Sequence, residues 1–137
     1  MSGKLHFIDT NILIYAYSED DAQKREIARN LLCTGQMIIS TQVLQEFANI
    51  AKKKLRVDWQ AIQTTIKELS SKIPLWINSN ETIEKACEIA EKYGYSFYDA
   101  LIISAAIESQ SQLLFSEDMH GGQMIENQLE IVNPFKV

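Results

Sequence analysis

Leu5-His6-Phe7-Ile8-Asp9-Thr10-Asn11-Ile12-Leu13 is the stretch from which the rest of the chain can be read. A short apolar run stops at an acid, and a second apolar segment with helical spacing follows at once. A strand buried on both faces of a parallel sheet has this signature. In open α/β sheets, ligands gather outside the carboxyl ends of the strands, where the strand order reverses. Asp9, at the tip of a first strand over roughly 4–8, is therefore placed for chemistry, and the decisive question is which other acids reach the same edge.

Outward from that stretch, apolar runs alternate with amphipathic segments. Thr10 to Tyr17 reads as a short helix with Ile12, Leu13, Tyr15 and Ala16 apolar. Asp20 or Asp21 suits the N-cap of a second helix, which carries Ile27, Ala28, Leu31 and Leu32 and closes at Gly35. Met37 to Ile39 is a second strand. Thr41 is expected to cap a third helix, with Val43, Leu44, Phe47, Ile50 and Ala51 inward. Asp58 caps a fourth with Trp59, Ile62, Ile66 and Leu69 inward and a Val57–Ile62 staple. Pro74 introduces a strand over Leu75 to Ile77. A fifth helix shows Ile83, Ala86, Cys87, Ala90 and Tyr93 on one face and stops at Gly94. Phe97 to Ser109 is apolar nearly all round, hence a buried sixth helix. Leu113 to Phe115 is a strand, Ser116 to Gly122 a polar loop, and Ile131-Val132 an edge strand. The expectation is one α/β domain over 1–137, a three-layer α/β/α sandwich with a mainly parallel four- to five-stranded sheet.

Composition narrows the function. The chain has 137 residues and a net charge of −5, which argues against holding nucleic acid by bulk positive charge. Local contacts made through a metal remain compatible with that charge. No apolar run approaches a membrane span and no secretory leader is visible, so a cytoplasmic protein is expected. Cys33 and Cys87 form no metal-binding or disulfide pattern and are expected to fill small apolar gaps.

Four acids converge on one sheet edge. In a right-handed βαβ unit, a helix leading into a strand starts at the carboxyl edge. Asp9 ends the first strand there. Glu46 lies near the start of the helix after the second strand, Asp99 in the first turn of the helix before the fourth, and Asp118 three residues past that strand. Each has an ordinary explanation: Asp9 as a cap, Asp99 in a capping box with Ser96, Glu46 as a solvated helix residue and Asp118 as a turn residue. Together they pose an electrostatic problem. Two unit charges about 4 Å apart repel by roughly 4 kcal/mol at an effective dielectric of about 20. A hard divalent cation relieves this, with Mg²⁺ or Mn²⁺ favoured by oxygen ligands. Such a site suits phosphodiester hydrolysis.

Phe7-Ile8-Asp9-Thr10-Asn11-Ile12-Leu13, the Gln45-Glu46-Phe47-Ala48 helix, Phe97-Tyr98-Asp99-Ala100-Leu101-Ile102 and Phe115-Ser116-Glu117-Asp118-Met119-His120-Gly121-Gly122 resemble the four acidic motifs of PIN-domain ribonucleases. The ending Ile131-Val132-Asn133-Pro134-Phe135 resembles the close of that domain, and the likeness is nearest to VapC-type toxins of toxin–antitoxin pairs. The resemblance implies a PIN-like fold and an endoribonuclease using one or two Mg²⁺ or Mn²⁺ ions and leaving a 5′-phosphate and a 3′-hydroxyl. It also implies a homodimer and a cognate antitoxin over the active-site groove. By position, Asp9, Glu46, Asp99 and Asp118 are the expected metal-binding and catalytic acids, with Asn11 and Ser116 orienting acids or water. The doubled Gly121-Gly122 departs from the single glycine of many relatives. His120 fits either a substrate contact or a solvated loop.

The dense basic cluster Lys52, Lys53, Lys54 and Arg56 is the candidate for RNA contact; its alternative is favourable charge at a helix C-terminus. Asp9-Thr10-Asn11 lacks the D-x-D of aspartate-based phosphatases, the acid pair and lysine of receiver domains are missing, and neither glycine-rich nucleotide loop occurs. Two alternatives stand: a PIN-like binding module with idle acids, and a single-stranded DNA nuclease of the same fold.

Overall fold

The computed structural model describes residues 5–136, so Lys4, at the expected start of the first strand, lies outside them. Strand and helix alternate as β1 (His6–Ile8), α1 (Thr10–Tyr17), α2 (Ala22–Leu32), β2 (Met37–Ser40), α3 (Thr41–Lys53), α4 (Trp59–Lys72) and β3 (Leu75–Trp76). Then come α5 (Asn80–Tyr93), α6 (Phe97–Glu108), β4 (Leu113–Phe115), β5 (Met124–Ile125) and β6 (Leu129–Val132). The sheet order is β3-β2-β1-β4-β6-β5, parallel throughout except for the β5–β6 pair. The helices pack as two groups, α1 with α2 and α3 and α3 with α4, and separately α5 with α6, giving the three-layer α/β/α sandwich.

Strand order is what positions a site. From β1 the chain builds outward through β2 and β3, then returns to place β4 on the other flank of β1. Order therefore reverses between β1 and β4, and the carboxyl ends of these two strands border the crevice where ligands bind in such sheets. Ile8 sits beside Phe115 in register, and the Asp9 N–H donates to the Phe115 carbonyl at 2.9 Å. Phe7, Ile8, Ile12 and Leu13 are fully buried, and each such side chain contributes on the order of 2 kcal/mol. In α6 every residue from Ala100 to Ile107 is buried, as its all-round apolar pattern requires; Ser104 is accommodated by donating to the Thr82 carbonyl.

Several expectations are corrected. The sheet has six strands, not four or five, and Ile131-Val132 belongs to an interior strand paired with both β4 and β5. The edge strand β5 reaches β6 through a tight turn at Glu126 and Asn127, both at positive φ, a conformation that the glycine-free sequence there does not advertise. Gly35 does not cap α2; Cys33 does, with Gly35 at φ 75° in the turn beyond. Both cysteines are exposed: Cys33 sits past the inner stripe of α2, and Cys87 lies a rotation of about 100° from the buried Ala86. The inner face of α5 runs through Thr82, Ala86 and Ile89, leaving Ile83 outside. Trp59, at the first position of α4, is exposed, with the Lys52 ammonium 5.3 Å from its ring.

Ser40, and not Thr41, caps α3: its hydroxyl accepts from the Val43 N–H while its own backbone stays extended. Removing a serine N-cap costs about 1 kcal/mol. Ser40→Ala is therefore expected to lower the unfolding free energy in urea by about that amount, while Thr41→Ala stays within roughly 0.5 kcal/mol of wild type.

Candidate acidic site

The cleft at the β1–β4 switch has a volume of about 370 Å³ and is lined by Asp9, Thr10, Asn11, Glu46, Asn49, Ile50, Asp99 and Asp118. All four acids singled out in the sequence thus face one space. A more apolar groove of about 360 Å³ between α1, α2 and α4 has one carboxylate, Glu68, in its lining, and offers no comparable cluster of acids.

Asp9 does two jobs. Its backbone is extended, and Oδ1 accepts from the Thr10 N–H at 2.7 Å, capping α1. Oδ2 accepts from the Ser116 hydroxyl at 2.8 Å, and the residue is 6% exposed. Burial pushes its carboxyl up to about 6 against the pull of the Ser116 and Thr10 bonds, with the charges of Asp99 and Glu46 adding to the rise. Ser116, just past the end of β4, has no solvent exposure.

Asn11, one residue into α1, joins the two strand ends. Its amide nitrogen donates to Asp118 at 3.1 Å and to Asp9 at 3.4 Å, and its carbonyl accepts from the Glu117 N–H at 3.2 Å. Asp99 is half-buried in the first turn of α6, its N–H capped by the Ser96 hydroxyl. Burial raises its carboxyl above the usual range, as do the Asp118 and Glu46 charges, while Ser96 opposes the rise.

Glu46 is held by two residues that the sequence did not single out for the site. The Thr10 hydroxyl donates to one carboxylate oxygen, and the Gln42 amide donates to the other at 3.2 Å. Gln42 also donates to the Tyr98 carbonyl at 3.0 Å, tying α3 to the turn that carries Asp99. Its own Oε1 is buried without a partner among the described residues. Helical spacing offered one signal for Gln42, which stands four residues before Glu46 and so shares its face.

The donor set is all oxygen, crowded and anionic, and its chemistry fits a hard divalent cation. Among the described residues, though, no three acids are gathered into a ready liganding group. Asp9, Glu46 and Asp118 instead accept hydrogen bonds from their neighbours.

The basic cluster divides. Lys54 borders a second cavity of about 330 Å³ that shares Asn11, Ile50 and Asp118 with the acid cleft. Lys52 leans on Trp59, while Lys53 and Arg56 are exposed and line neither cavity. His120 is exposed beside the Tyr95 ring and does not line the cleft.

A family model described as PIN domain matches residues 6–120. No curated protein matches the chain in sequence. Among solved structures, a toxin–antitoxin complex from Klebsiella pneumoniae matches with a TM-score of 0.73 and 24% identity, covering 96% of this chain and 99% of that one. Mycobacterium tuberculosis VapC20, described as a sarcin-ricin loop cleaving toxin, gives 0.67 and 21% over 82% of this chain and 89% of its own. VapBC2 from Rickettsia felis, bound to a promoter DNA fragment, gives 0.66 and 22% over 94% and 99%. These likenesses bear on the fold.

The charged form of Asp9 burdens the folded state. With its carboxyl near 6 in the fold and 3.8 as the reference, stability falls as pH rises through that window, and the full penalty of about 3 kcal/mol is present above it. In chelator, Asp9→Asn is therefore expected to melt with wild type near pH 4 and at least about 3 °C higher at pH 7.5. An offset that does not change with pH contradicts this.

Proposed function

The chain belongs to the PIN domain family, and we propose that it is a divalent-metal-dependent endoribonuclease, the toxin of a type II toxin–antitoxin pair. The observation that carries this reading is the convergence of Asp9, Glu46, Asp99 and Asp118 on one cleft at the strand-order switch. The solved neighbours add support: one is described as a sarcin-ricin loop cleaving toxin and another as a toxin–antitoxin complex. The partners proposed are an RNA substrate, a cognate antitoxin seated over the cleft and a second copy of the chain. Residues 1–137 are proposed to form one domain that acts in the cytoplasm. No helix among the described residues is long and apolar enough to cross a membrane.

In this reading Asp9, Asp99 and Asp118 would hold Mg²⁺ or Mn²⁺, with Glu46 supporting the same ion or a second one. The chemistry such an ion supplies is neutralisation of the scissile phosphate and a lowered pKa for an attacking water. The chain's own part is positioning. Ser116 and the Thr10 N–H fix the Asp9 carboxylate, Thr10 and Gln42 fix Glu46, and Asn11 spans Asp9 and Asp118. Lys54, which borders the adjoining cavity, is the proposed RNA-phosphate contact of the 52–56 cluster.

The same open set of acids suits a binding module with idle carboxylates, and a single-stranded DNA nuclease of the same fold is the other alternative. Matched oligonucleotides in Mn²⁺ separate the readings. Wild type is expected to cut RNA in preference to DNA; Asp99→Asn is expected to lose at least about 100-fold in rate, and Ser116→Ala about 10- to 100-fold. A folded wild type that cuts neither polymer supports the idle module, and Asp99→Asn cutting at the wild-type rate removes the site assignment. A short overlapping reading frame for a DNA-binding protein is the expected genomic neighbour.

A further inference from the structure

Regular elements place three of the acids: Asp9 closes β1, Glu46 rides on α3 and Asp99 opens α6. Asp118 alone sits on the loop between β4 and β5, so its position depends on what holds that loop. The structure supplies a holder at the neighbouring residue. Glu117 donates its N–H to Asn11, the side chain that in turn donates to Asp118. The Glu117 carboxylate is gripped on both oxygens, by the Tyr15 hydroxyl at 2.5 Å and by the Lys24 ammonium. Tyr15 follows Asn11 by four residues, so one face of α1 presents both contacts.

The Lys24 nitrogen lies 4.8 Å from the Tyr15 ring centre and 5.3 Å from that of Phe135, and these two rings meet edge-on at 5.1 Å. Asn133 sets Phe135 by accepting its N–H at 2.9 Å, which gives the Asn133-Pro134-Phe135 ending a physical task. An exposed ion pair contributes little. This one is partly buried and walled by aromatic rings, and its carboxylate takes a second bond from the Tyr15 hydroxyl, the setting in which charge-assisted bonds are strong.

We propose that Lys24, Tyr15, Glu117 and Phe135 form a latch that holds Asp118 and Asn11 at the acid cleft. They are positioning residues for phosphodiester cleavage, with no contact to the reacting atoms; the proposal rests on the nuclease reading above.

The test compares full-length Lys24→Met, Lys24→Arg, Glu117→Gln and the Lys24→Glu/Glu117→Lys exchange with wild type. Lys92→Met, which breaks the exposed Lys92–Glu126 pair, serves as control. In metal-free protein, amide hydrogen exchange across 116–122 is expected to rise about tenfold in Lys24→Met and Glu117→Gln. Their Mn²⁺ affinity by calorimetry is expected to fall about tenfold, the scale seen when a ligand's supporting partner is removed. Lys24→Arg and the charge exchange are expected to recover most of both, and Lys92→Met to change neither. Loop exchange and Mn²⁺ affinity that stay at wild-type values, or that move only in step with the melting temperature, overturn the latch. If wild type cuts no RNA, the nuclease reading fails, and loop exchange alone then decides whether the latch exists.

Discussion

A desolvated carboxylate at the end of the central strand is the constraint on which the rest of this molecule depends. Asp9 leaves water when β1 is enclosed, and the charges of Asp99 and Glu46 add to the cost of ionising it. A protein selected for stability alone would place an asparagine or serine there, since either can cap a helix without bringing a charge. The hydrogen bonds from Ser116 and Thr10 are the fold's partial compensation. The remaining repulsion is available to bind a cation, which links the electrostatics of the fold directly to the proposed chemistry.

Topology determines how the other acids reach that point. Because β4 lies next to β1 although it follows β3 in the chain, the loop after β4 and the helix before it both begin at the carboxyl edge of the central strands. The connecting bonds then run between elements. Gln42 ties α3 to the first turn of α6, and Asn11 ties α1 to the loop after β4. Each acid is thus carried by a separate element.

Much of this was legible in the sequence because the responsible features are local. The run ending at Asp9, the all-apolar α6 and the capping residues Asp21, Asp58 and Ser96 are patterns of a few residues, and they placed the acids on the correct edge. What escaped depends on contacts between distant segments. Nothing near Glu117 announces Lys24, which lies 93 residues away. Thr10 reads as the start of a helix until Glu46 is seen beside it. The sixth strand has little signature in the sequence because β5 has two residues and a turn without glycine. Ser40 is hidden as a cap because it also ends an apolar strand, a single residue serving as both strand end and cap.

The most direct test of the central claim is the melting temperature of the metal-free protein as Mn²⁺ is added at pH 7.5, for wild type and for Asp9→Asn. Binding to the folded state alone raises stability by RT ln(1 + [L]/Kd), about 2.7 kcal/mol at 100-fold saturation. Wild type should climb with Mn²⁺ along that curve, while Asp9→Asn starts higher and stays flat. Equal responses from the two proteins, or none from wild type, would show that the acids at this edge are not a cation site.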